Sequence, residues 1–139
     1  MKYLKTVCCI LTVSLISACA SPIPNREQVK SAEYGEKPSY ETALALVKQY
    51  MTSRLIDPYS AVYTCAQPIK AWASTSRLIN DKLGGRVHYG YVMPCEINAK
   101  NRLGGYVGAQ SYNFMIRIIS GQPNIYELPD PIAPVPATD

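Results

Sequence analysis

The stretch Val87-His88-Tyr89-Gly90-Tyr91-Val92-Met93-Pro94-Cys95-Glu96-Ile97-Asn98 decides the fold class. Val87, Tyr89, Tyr91, Met93, Cys95 and Ile97 alternate with His88, Gly90, Val92, Pro94, Glu96 and Asn98, which is the period of a strand with one buried face. Pro94 lacks a backbone donor, which predicts an edge position or a bulge there. A polar turn over Lys100–Gly105 follows. Tyr106, Gly108, Gln110, Tyr112, Phe114, Ile116 and Ile118 then fall on one side of a second alternating run, so the two runs are expected to pair as an antiparallel hairpin.

Working outward, Ser39 to Ile56 changes period. Ser39 stands as a cap, Glu41 lies in the first turn, and Leu44, Val47, Met51 and Leu55 recur at helical spacing, with Ala43, Leu46 and Tyr50 widening the stripe. Asp57-Pro58 is expected to stop this helix. Ala61–Ala66 and Ile69–Ala73 read as strand material interrupted at Pro68, and Gly84-Gly85 as a turn. Beyond Gly121 the prolines at 123, 129, 131, 134 and 136 predict an extended or disordered tail. The expected fold is α+β, with one N-terminal amphipathic helix packed on a small antiparallel sheet over residues 39–120.

A chain of 139 residues, 47% hydrophobic and 17% charged, holds one small domain and excludes a multidomain enzyme. Its beginning is a targeting signal. Lys2 and Lys5 precede a short apolar run from Val7 to Ile16, which is too short for a spanning helix, and small residues follow. Ile16-Ser17-Ala18-Cys19 resembles the lipobox of bacterial lipoproteins. That resemblance implies cleavage after Ala18, acylation of Cys19 with chains such as palmitate, and anchoring to membrane lipid without spanning it. Because Ala20 rather than Asp follows the Cys, the resemblance points to the outer membrane, periplasmic face. Residues 20–38, polar and broken by Pro22, Pro24 and Pro38, read as a tether.

Of five cysteines, Cys8 and Cys9 lie in the signal and Cys19 at the lipid site, so Cys65 and Cys95 remain. In an oxidising compartment and a domain of marginal size, a structural disulfide between them is expected.

The densest group of polar residues is Glu96–Tyr106. Here Asn98, Lys100, Asn101, Arg102 and Tyr106 are candidate binding residues for an anionic or sugar-like group, with Gly104-Gly105 allowing close backbone approach. The same residue types also serve turns that need positive φ and side-chain capping. The glycines lack the partners of a phosphate loop. His88 has no nucleophile or carboxylate at a motif spacing, and no metal ligand set or cofactor motif is present, so the reading is non-catalytic. Tyr89, Tyr91 and Tyr112 are expected in the core, and Tyr59, Tyr63 and Tyr106 as contacts.

The elements Asp57-Pro58-Tyr59-Ser60-Ala61, Gly84-Gly85, Tyr89-Gly90-Tyr91, Asn98-Ala99-Lys100-Asn101 and Gly104-Gly105-Tyr106-Val107-Gly108 resemble, in this order, a pattern of small exported bacterial proteins. The resemblance spans about residues 40–118 and implies an α+β domain without transferring an activity. Glu96 departs from it, since Gly commonly follows the Cys in that pattern.

Removing Lys2 and Lys5 with the signal leaves 12 basic against 10 acidic side chains, which gives no case for nucleic-acid binding. Residues 40–120 carry nine Lys/Arg against four Asp/Glu, a surplus suited to anionic lipid or an acidic partner. The functional expectation is a lipid-anchored envelope protein that binds or stabilises another envelope component, such as a secretion or surface assembly. An immunity or exclusion lipoprotein against a phage or toxin is the alternative, and an enzyme acting on cell-wall or lipid material is third.

Overall fold

A computed structural model describes residues 23–74, 86–128 and 135–136. The segment read as a signal, Cys19 and the Gly84-Gly85 pair expected to turn lie outside the described residues. The element order is α1 (Arg26–Ser31), α2 (Tyr40–Met51), β1 (Asp57–Cys65), β2 (Ile69–Ser74), β3 (Val87–Lys100), β4 (Gln110–Ile119), β5 (Gln122–Glu127) and β6 (Val135–Pro136).

All pairing is antiparallel and organised by β3. From one side β1 pairs with its C-terminal half, Val62 opposite Asn98 through Cys65 opposite Cys95. β2 pairs with its N-terminal half, Ile69 opposite Val92 through Ser74 opposite Val87. β4 overlaps both from the other side, Tyr91 opposite Ile116 through Ile97 opposite Gln110. Thus β1 and β2 lie end to end on one edge of β3, separated by Ala66-Gln67-Pro68. β5 extends the sheet beyond β4, and β6 covers Ala71 and Trp72 of β2.

The expected α+β class is corrected. Strands hold 50% of the described residues and helices 19%, in a curled, half-barrel antiparallel sheet with only short helices. The physical reason is that segments read as tether and tail are used by the sheet. Gln122–Glu127 forms β5, because Ser120 and Gly121 both adopt positive φ (51° and 73°) and make a two-residue hairpin turn between Ile119 and Gln122. Pro123 and Pro136 sit on outermost strands, where a missing N–H costs no ladder bond.

Within the stretch expected as a tether, α1 carries a capping box between Asn25 and Gln28. Tyr34 and Pro38 are buried, and Glu36 bridges to Ile118. Tyr34 meets Tyr89 edge-on at 5.6 Å, so this segment docks at the N-terminal end of β3.

α2 starts as its sequence predicts, with Ser39 Oγ accepting from the Thr42 N–H. It ends at Met51 rather than near Ile56, where the Arg54 and Leu55 N–H groups turn back to the Met51 carbonyl. Ala43, Val47 and Met51 bury against Met93, Cys95, Ile97, Phe114 and Ile116. The opposite sheet face holds a smaller cluster of Ala71, Ala73, Val92, Met115 and Leu128. β3 is therefore buried on both faces over its middle. Gly90 serves that closeness: a Cβ there would stand 2.8 Å from the Ile116 carbonyl oxygen and 3.0 Å from Met115 Cγ.

Pro94 is not at an edge, because β3 is paired on both sides. Its carbonyl accepts from the Ala66 N–H at 2.9 Å, so its nitrogen faces the same edge, where β1 has already left the ladder. Just before that break, Cys65 and Cys95 are joined, with Cα atoms 4.1 Å apart, as suits a non-hydrogen-bonded pair. Closing a loop of 30 residues stabilises a small domain by roughly 3–4 kcal/mol on loop-closure entropy.

Burial raises the Tyr126 phenol to about 12 against a smaller opposing effect of Arg117. It also raises Tyr34 and Tyr63. The native state thus holds these phenols protonated while the unfolded chain ionises near 10. The contribution of these phenols to stability is expected to be fully present below about pH 10 and to be lost as pH rises through about 12. Urea unfolding at stepped alkaline pH should show this loss, and Tyr126→Phe should lessen it.

Candidate functional site

The candidate binding residues lie where the C-terminal end of β3 meets the start of β1. Two sequence elements interlock there. The Asp57 carboxylate accepts from the Ser60 N–H at 3.2 Å, and Ser60 Oγ donates to the Asp57 carbonyl at 2.9 Å. Ser60 Oγ also accepts from the Lys100 N–H at 3.0 Å, while the Tyr106 hydroxyl donates to the Ser60 carbonyl at 3.2 Å. The Asp-Pro-Tyr-Ser turn is thereby stitched to the segment after β3.

Within that segment, Asn101 Oδ1 accepts from the Leu103 and Gly105 N–H groups at 2.9 and 3.1 Å. Asn98 Oδ1 accepts from the Gly108 N–H at 3.1 Å. Both amide oxygens are therefore engaged in holding backbone, the turn-building alternative of the two that their residue types allow. Gly104 has φ of 82° with open space where a Cβ would stand, so its glycine serves the positive φ of the turn. Lys100 Nζ lies 5.5 Å from the Tyr106 ring centroid, a cation–π contact that also places its charge at this corner. Arg102 is exposed at the turn.

Asn98 and Tyr106 join Val62, Thr64, Glu96 and Ala109 around a groove of about 380 Å³. Thr64 is opposite Glu96 and Val62 opposite Asn98, so these four side chains share the sheet face away from α2. Glu96, Thr64 and Val62 were not singled out as contacts by their sequence, because only the pairing of β1 with β3 brings them together. Of the groove's lining Val62 is 55% and Tyr106 52% exposed, and in the two segments that meet at this corner Tyr59 is 98%, Leu103 94% and Val107 56% exposed. Grouped apolar exposure of this kind marks interaction surfaces rather than scattered surface residues.

The other tyrosines sort by packing. Tyr112 stacks on Phe114 and Tyr89 meets Tyr34, whereas Tyr63, expected as a contact, packs against the core with Lys48 over its ring. His88 contacts Tyr126 edge-on at 5.6 Å, at the far end of β3 from the corner. Among the described residues no three His, Cys, Asp or Glu side chains come together, and no helix is long and apolar enough to cross a membrane. No known protein family, curated protein or solved structure matches the chain.

If Asn101 is a turn-builder, Asn101→Ala should lower stability by about 1 kcal/mol through loss of its two backbone contacts. Arg102→Ala, at the same turn, should change it by no more than about 0.5 kcal/mol. Equal effects of the two in chemical denaturation would contradict the assignment.

Proposed function

We propose that the chain is a non-catalytic, lipid-anchored protein of the bacterial cell envelope that binds or stabilises another envelope component. The observation that carries the reading is the Cys65–Cys95 bridge, since structural disulfides belong to exported chains and Cys19 closes a lipobox-like sequence. Both fit an oxidising compartment, and attachment through acyl chains at Cys19 rests on the lipobox-like sequence alone.

The exposed apolar corner supports a binding role over a catalytic one. The side chains with most chemical promise, Asn98, Asn101 and Tyr106, hydrogen-bond to backbone and give the corner its shape. The corner is also remote from the N-terminal segment. Glu33 and Tyr34 dock beside Arg117 and Tyr89, while Lys100, which carries its charge to the Tyr106 ring, stands eleven residues beyond Tyr89 along β3, about 36 Å in an extended strand. An anchor near the N-terminus would leave this corner for a partner in the aqueous compartment. The partner, on this reading, is an envelope protein.

In cells fed a traceable fatty acid, the protein should carry label and sediment with membranes. Cys19→Ser should abolish both. Label or membrane association that survives this substitution would sink the anchor.

A further inference from the structure

The corner has a feature beyond its apolar side chains, namely an open strand edge. In an antiparallel ladder the N–H and C=O of one residue point to the same side, alternating along the strand. Because the Ala66 N–H donates to the Pro94 carbonyl, Ala66 faces β3 and Cys65 faces away. By the same alternation the backbone groups of Tyr63 point outward too, and β1 pairs with no strand but β3 among the described residues.

The molecule treats its other edges differently. β5 carries Pro123, and the β2 part of the same edge line is covered by Val135–Pro136 of the chain itself. Native proteins blunt or cover edge strands that are not meant to pair. β1 has such devices only at its start, with Asp57, Pro58 and a register irregularity before Val62, and between Ala61 and Cys65 there is neither a proline nor a charged residue.

We infer that the β1 edge receives an extended segment of a partner protein as an added strand, with apolar side chains against Val62 and Tyr106 and a basic side chain at Glu96. Strand addition is argued from β6, which shows that this edge line already accepts one. The charge is argued from Glu96, whose exposed carboxylate has no ion pair or hydrogen bond among the described residues and lines the groove beside β1. In this mode the backbone supplies much of the affinity, while alternate side chains supply the choice of sequence. The inference deepens the reading of a protein partner by naming its chemistry, and it rests on that reading without requiring the lipid anchor.

The test uses the whole protein purified from cells in detergent, whichever fraction holds it, with two short synthetic probes. One alternates Val with Thr and Lys, and the other carries Glu in place of Lys. The lysine probe should bind, should slow hydrogen exchange at the Tyr63 and Cys65 amides, and should weaken with added salt. The glutamate probe, and the variants Glu96→Lys and Thr64→Lys against the lysine probe, should bind at least about tenfold more weakly. Both substituted residues are exposed, so thermal unfolding of the variants should match the parent and show that folding is not the cause.

Binding of both probes alike, or binding that leaves the β1 amides unchanged, would overturn the inference. So would a dimer in the free protein that already protects these amides, since the occupant would then be a second copy. Because neither probe requires acylation, a failure here is distinguishable from a failure of the anchor.

Discussion

Everything in this domain hangs on β3 being paired along both edges and, over its middle, buried on both faces at once. A strand in that position has no unused direction, and each neighbour is constrained by what β3 lacks. Its proline is tolerated only opposite a break in the adjacent strand, which is where Ala66-Gln67-Pro68 leaves the ladder. Its glycine stands where the β4 backbone leaves no room for a Cβ. The disulfide ties β1 to β3 immediately before the break, where the ladder would otherwise begin to fray.

This arrangement also explains the division of labour along the strand. At the N-terminal end, Tyr89 receives the chain's first described segment through Tyr34. At the other end, Asn98 and Lys100 begin the segment that crosses back to Ser60. The polar residues there hold backbone and so shape the surface. What they leave outward is a set of apolar side chains, the Glu96 carboxylate and the outward backbone groups of Tyr63 and Cys65, which pair with no strand among the described residues.

Much of the centre was legible in the sequence. The alternation of Val87–Asn98, the partner run ending in Phe114 and Ile116, the start of the helix at Ser39 and the Cys65–Cys95 pair all follow from period, cap chemistry and cysteine count. The margins were not legible, because proline signals disorder and a sheet edge equally well. Pro123 belongs to an edge strand, and the available signal was Ser120-Gly121 between Ile118-Ile119 and Ile125-Tyr126. The segment before Ser39 reads as a tether because Tyr34 and Glu36 lack local periodicity; they dock through long-range contacts, Tyr34 with Tyr89 and Lys70 and Glu36 with Ile118 and Gly121, that no window reveals. For Asn98 and Asn101, residue type announced polar capability but not its object, which turned out to be nearby backbone.

The account stands or falls on the doubly paired centre of β3, and residue-resolved native-state hydrogen exchange reads it directly. The Cys95 and Ile97 amides, flanked by both β1 and β4, should be among the slowest in the protein and should open only with global unfolding, while the β5 amides on the outer edge open sooner. If the amides of β3 exchange as quickly as those of β5, the strand is not the element on which the others depend, and the architecture described here is wrong.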